Sequence, residues 1–153
     1  MKMQENSWVG IVEQGIDYGV IGLLVLMSIL ALWVFVERIM FYKTIDVAHH
    51  DNRDKLELDL SNNVSTVATI TVNAPYIGLL GTVLGIMITF YTLGETGAVD
   101  TKQIMGGLAL ALKATAMGLL VAIPSGIFYN VLLRKMERIL AYWDIEHNAI
   151  VKG

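Results

Sequence analysis

Between Tyr18 and Val36 the chain reads YGVIGLLVLMSILALWVFV, 19 residues without a charge. About 20 residues of helix, rising 1.5 Å each, cross the roughly 30 Å hydrocarbon core of a bilayer. Inside lipid a spanning segment has to satisfy its own backbone amides, so this run predicts a first membrane helix and an all-α fold. A cleaved signal is the other reading of an apolar run near an N-terminus. Here Glu5, Glu13 and Asp17 precede the run against only Lys2, whereas a signal begins with a positive region. The run is expected to remain as an anchor.

Two more apolar runs follow, a second span over about 75–93 and a third over about 104–133. The third is longer than a crossing needs, so it tilts or protrudes. The whole chain, 1–153, then reads as one membrane domain. Only 16% of the residues are charged, against roughly a quarter in soluble domains. Cysteine is absent, which excludes disulfides, thiol nucleophiles and thiolate metal sites. The net charge of -3 and scattered basic residues offer no patch for nucleic acid.

Three crossings put the termini on opposite sides of the membrane. Arg38 and Lys43 follow the first span, and Arg134, Lys135 and Arg138 follow the third; the loop GETGAVDTKQ has one lysine and two acids. The positive-inside rule therefore places the N-terminus and the 94–103 loop outside, and 41–73 and 134–153 in the cytoplasm. No Gly or Pro interrupts the chain between Gly22 and Pro75, or between Gly126 and Gly153. Helix is expected to continue out of the membrane on both flanks. Leu60, Val64, Val67 and Thr71 share one helical face, with Asn62 and Asn63 as candidate caps, and Met136, Ile139, Leu140 and Trp143 repeat the period. Much of 41–73 reads as solvated, too short for a separate soluble domain.

At 100° per residue, Thr71, Gly78, Gly81, Thr82, Gly85, Thr89 and Thr92 fall within an arc of about 100° on the second span. Gly107, Ala111, Ala114, Thr115, Gly118, Ala122 and Ser125 form a similar stripe on the third, with Leu110, Leu112, Leu119, Leu120 and Ile123 in other directions. One explanation is helix packing, since membrane helices approach at small residues and hydroxyls bond across or back to carbonyls. The other is that part of the stripes lines a passage or cradles a further helix, with threonine hydroxyls as the polar groups inside. Both can hold together, Gly81 and Gly85 admitting a neighbour while Thr82 faces an interior. Pro75 and Pro124 read as structural kinks ahead of moving hinges.

Lys113 is the one ionisable residue well inside a span, where a central lysine costs about 2.5–3.5 kcal/mol. It lies about 160° around the helix from Thr115, so snorkelling or a structural pair with Asp17 or Glu13 is preferred to a part in ion movement. Glu37 and Arg38 close the first span as interfacial charges. His49, His50, Asp51 and Asp54 are the only cluster of metal-ligating types, and no spacing sets three of them on one helix face; no metal site is expected. Without a Ser/His/Asp set, phosphate loop or paired intramembrane carboxylate, the chain does not read as an enzyme and implies no cofactor. Proteins that move protons usually carry an Asp, Glu or His in the membrane, and the second and third spans have none. Either no protons move, or a partner supplies the titrating group.

The segments APYIGLLGTVLGIM and ALALKATAMGLLVAIPSGIFYN, with ERIMFY closing the first span, resemble the ExbB/TolQ/MotA family of proton-channel proteins, most closely short ExbB members. The likeness covers roughly Tyr18 to Asn130. It implies a pentameric ring whose second and third helices line a central pore. It also implies an ExbD-like partner that threads one transmembrane helix from each of two copies into that pore and brings an aspartate. Such a complex uses the proton-motive force across the bacterial inner membrane to energise a TonB-like protein, which drives uptake of siderophores or similar cargo. By this resemblance Thr82 and Thr115 face the pore beside the partner's aspartate, and protons are the transported ion. A glutamate carried by many longer members falls on Leu110, which departs from the pattern and leaves no ring carboxylate to relay protons there. The brief N-terminus and reduced loop depart as well. TolQ-like service to envelope integrity and a structural helical oligomer stay open as alternatives; a MotA-like role fits three spans and a short loop poorly.

Overall fold

The computed structural model describes residues 2–47, 52–96 and 101–151, with the side chains of 2–9, 13, 96, 103, 150 and 151 left out. Among the described residues are four helices: α1 (Lys2–Thr44), α2 (Arg53–Ser61), α3 (Val64–Thr96) and α4 (Thr101–Val151). Three are long and apolar enough to cross a membrane, over Gly10–Thr44, Val64–Glu95 and Ile104–Ala149. The spans expected at 18–36, 75–93 and 104–133 lie inside them. Trp33 is 70% exposed and much of the remaining surface of the long helices is leucine, isoleucine and valine, an apolar exterior that suits lipid or a neighbouring chain.

α3 and α4 make the most extensive contact, α1 lies against both, and α2 lies against α4. Two apolar clusters hold them. Leu24, Ala31, Ile70, Ala74, Val121 and Ala122 join the three long helices within the spans. Val34, Tyr42, Leu56, Leu60, Val64, Val67, Leu132 and Leu140 form the second cluster, at the end where α2 packs. Met136, Ile139 and Trp143 pack against it, so the two periodic flanks pair as stems.

The helix continuing out of the first span ends at Thr44, and the expected caps Asn62 and Asn63 stand where α2 gives way to α3. Asn52 caps α2 by accepting from the Asp54 amide at 2.8 Å. Asn63, at the α2–α3 joint, has φ 59°, a left-handed conformation that asparagine tolerates better than most residues. Within 41–73 most of α2 is exposed, Leu60 is completely buried on the face expected to pack, and Leu56, which was not on that face, is completely buried as well. Two α1 side chains serve the last turn of α2, where carbonyls lack helical partners. The Tyr42 hydroxyl donates to the Leu60 carbonyl at 2.7 Å, and the Arg38 guanidinium donates to that of Asp59 at 3.2 Å. At its other end α2 is tied to α4 by Arg53, whose guanidinium donates to the Asp144 carboxylate at 3.0 Å. Pro75 and Pro124 lie inside α3 and α4, which continue on either side of them.

Candidate functional site

The small faces of α3 and α4 meet each other within one chain. A Cβ on Gly78 would sit 2.7 Å from the Ala114 carbonyl oxygen, and one on Gly118 would sit 2.7 Å from that of Ala74. Lower bulk than any other residue is what lets the two backbones touch here. Gly85 faces Ala111, Gly107 faces Thr89, and Gly81 faces both Ala114 and Val20 of α1. Ala122 is buried beside Ala74. Of the two explanations for the stripes, packing accounts for where these glycines and alanines stand.

The hydroxyls divide into two kinds. Those of Thr71, Thr89 and Ser125 donate back to the carbonyl four residues earlier, at 2.8, 2.9 and 2.8 Å, as hydroxyls in apolar helices commonly do. Thr82 and Thr115 instead meet across the seam. The Thr82 Oγ1 is hydrogen-bonded to the Thr115 Oγ1, lies 3.0 Å from the Ala111 carbonyl of α4, and lies 3.3 Å from the Gly78 carbonyl of its own helix. The Thr115 Oγ1 is 3.5 Å from the same Gly78 carbonyl. Thr82 is 8% exposed and Thr115 is half-buried.

Each hydroxyl has one proton and two lone pairs, so the pair has two consistent states. In one, Thr115 donates to Thr82 and Thr82 donates to the Ala111 carbonyl, which leaves Thr115 free to accept. In the other, Thr82 donates to Thr115, and Thr115 donates onward. Rotation about two side-chain bonds exchanges these states without moving either helix.

The predicted charged residues lie elsewhere. The Lys113 ammonium is 3.6 Å from the Asp17 carboxylate of α1, on a different side of α4 from Thr115. Glu13, the other anticipated partner, has its side chain outside the described residues. Glu37 and Arg38 form a 2.7 Å ion pair, but Arg38 is only 6% exposed and lies 4.8 Å from the centre of the Phe41 ring. It also clamps α2, and nothing near it in sequence marks a carbonyl 21 residues away. His49, His50 and Asp51 lie outside the described residues; among those described, no group of three metal-ligating side chains occurs. Leu110 is exposed at the rim of a space beside α1. Sequence reasoning located both threonines and missed their backbone acceptors, because a carbonyl is common to every residue and only packing selects Gly78 and Ala111.

Three membrane-length helices, with two interhelical hydroxyls as the polar link in a glycine-packed seam, define a multi-pass membrane protein whose interior offers hydrogen-bond exchange. The chain belongs to the MotA/TolQ/ExbB proton channel family, whose model matches residues 37–145 and so includes both threonines. It is 51% identical to the ExbB-like 2 biopolymer transport protein of Helicobacter pylori over 138 residues, 90% of this chain and 92% of that one. The biopolymer transport protein ExbB of Aquifex aeolicus is 51% identical over 89% of this chain and 92% of its own. A Helicobacter pylori ExbB is 53% identical over 80% and 84%.

Proposed function

We propose that the chain is the ring subunit of an inner-membrane proton-channel motor that works with an ExbD-like single-span partner. Five copies form the ring, with N-termini in the periplasm and C-termini in the cytoplasm. The complex converts the proton-motive force into work on a TonB-like protein and so energises outer-membrane transport. The observation that carries this reading is the Thr82–Thr115 pair, which bonds across α3 and α4 inside a chain of a proton channel family.

The pair has no titrating group of its own, so the partner contributes the carboxyl. A protonated carboxyl donates to Thr115 while Thr115 donates to Thr82 and Thr82 to the Ala111 carbonyl. An ionised carboxylate accepts from Thr115 once Thr82 turns to donate to Thr115. Both protonation states are met without leaving a buried polar group unpaired, which would cost about 1–3 kcal/mol. Leu110 adds no second carboxylate, so the relay runs through hydroxyls and the partner's acid alone.

ExbB names on the relatives favour service to TonB-dependent uptake over a TolQ-like role in envelope integrity. A structural helical oligomer is the second reading, supported by the intrachain contacts that occupy Gly78, Gly81, Gly85, Gly107 and Gly118. Replacing both threonines by valine separates them. The motor reading expects proton-driven uptake to collapse while the ring and its single-span partner still co-purify; unchanged uptake by the double variant would leave only the structural reading.

A further inference from the structure

A cavity of about 290 Å³ lies between the N-terminal half of α1 and the α3–α4 seam, and neither Thr82 nor Thr115 lines it. Its floor is made of Gly81, Gly85, Ala111 and Ala114, while Gln14, Asp17 and Tyr18 of α1 form a polar wall. That is the low end of the roughly 300–1,000 Å³ typical of small-molecule sites, yet this one lies among membrane-length helices. Lys113 reaches its edge through the contact with Asp17. Beside them Tyr18 is 73% exposed, an amphipathic ring of the kind that settles at headgroup level.

The charges at this edge are paired only loosely. Lys113 and Asp17 are 3.6 Å apart and both partly exposed, whereas Glu37 and Arg38 close to 2.7 Å. An ammonium has three donors and a carboxylate about four acceptor positions, so one long contact leaves most of both without a protein partner among the described residues. A simple anion would satisfy Lys113 alone, and a simple cation Asp17 alone. A headgroup with a phosphate and a primary ammonium satisfies both.

We propose that this cavity seats one amine-bearing zwitterionic phospholipid per subunit. The phosphate accepts from Lys113, the headgroup ammonium donates to Asp17, and the upper acyl chain lies along the floor formed by Gly81, Gly85, Ala111 and Ala114. The lipid joins α1 to α4 on a surface separate from the hydroxyl pair.

Native mass spectrometry of the purified assembly, taken from a mixture of phosphatidylethanolamine and phosphatidylglycerol, tests this. The wild type is expected to retain one phosphatidylethanolamine per subunit in preference to phosphatidylglycerol. Gly10→Leu fills the mouth from a position whose Cβ would meet nothing within 4 Å outside its own turn among the described residues, so the variant is expected to fold. Occupancy is expected to fall about tenfold in it and likewise in Asp17→Asn, which would lose one charge-assisted hydrogen bond. The exchanged pair, Asp17→Lys with Lys113→Asp, keeps both charges and is expected to keep the lipid preference. Equal lipid retention by Gly10→Leu and the wild type would overturn the proposal, as would indifference between the two headgroups. Efficient disulfide crosslinking of Gly10→Cys between subunits, in a chain with no native cysteine, would assign the space to a neighbouring copy and overturn it too.

Discussion

The hydroxyls of Thr82 on α3 and Thr115 on α4 are hydrogen-bonded to each other across the seam, and Thr82 alone of the two also reaches the Ala111 carbonyl, at 3.0 Å. The two residues are therefore unequal. Thr82 is the anchored inner member, and Thr115 is the member able to turn outward.

This asymmetry predicts different outcomes for single substitutions. On the proposed function, Thr115→Val removes the group assigned to meet a partner's carboxyl while Thr82 still donates to Ala111, so stability changes by less than about 1 kcal/mol. Proton-driven uptake is expected to fall roughly a hundredfold, the scale of one lost proton-transfer group. Thr115→Ser keeps the hydroxyl and is expected to retain most of the uptake. Transport assays beside thermal unfolding of the purified ring check both.

Glycine substitutions sort by what a methyl group would meet. Gly118→Ala drives a Cβ to 2.7 Å from the Ala74 carbonyl, and overpacking of this kind costs about 1–3 kcal/mol. Gly22→Ala meets nothing within 4 Å and removes a flexible residue from a helix, which stabilises by up to about 1 kcal/mol. Unfolding in mixed micelles is expected to give opposite signs for the two.

The Tyr42 hydroxyl and Arg38 guanidinium hold the last carbonyls of α2. Tyr42→Phe is expected to cost about 1 kcal/mol and Arg38→Leu about 1.5–3 kcal/mol, the usual range for bonds to neutral and charged donors. Hydrogen exchange should report the loss first in α2, with α3 and α4 little changed.

Leu56, outside the face expected to pack, gives the sharpest contrast between a solvated and a packed α2, and Leu60 on that face is its companion. Complete burial predicts that Leu56→Ala or Leu60→Ala costs about 2–5 kcal/mol. A solvated loop would change by no more than about 0.5 kcal/mol. Denaturant titration of either variant decides.

How much of this was legible before the fold depended on whether the signal was local. Asn62 and Asn63 were visible as candidate caps and stand at the α2–α3 joint, but the positive φ of Asn63 was not visible, since it is imposed by how α2 turns into α3. Leu56 sits in RDKLELDLS, among charged neighbours, so its burial could not be read from hydropathy. The position of Lys113, away from Thr115, followed from helical geometry. Its pair with Asp17, one of the two partners expected from the sequence, is present at 3.6 Å.

The sequence by itself determined the all-α class, the three membrane-length helices and the small, hydroxyl-bearing faces of the second and third, while the choice of Thr82 and Thr115 among those hydroxyls came from the family resemblance. Hydropathy and a 100° period are properties of neighbouring residues, so no partner is needed to see them. Only the tertiary structure decided that the two small faces meet within one chain, that the threonines share a bond anchored on Ala111, that Arg38 and Tyr42 serve α2, and that a cavity opens beside Asp17. Each of these depends on contacts between residues far apart in the chain, and backbone carbonyls and empty space leave no mark in a string of side chains.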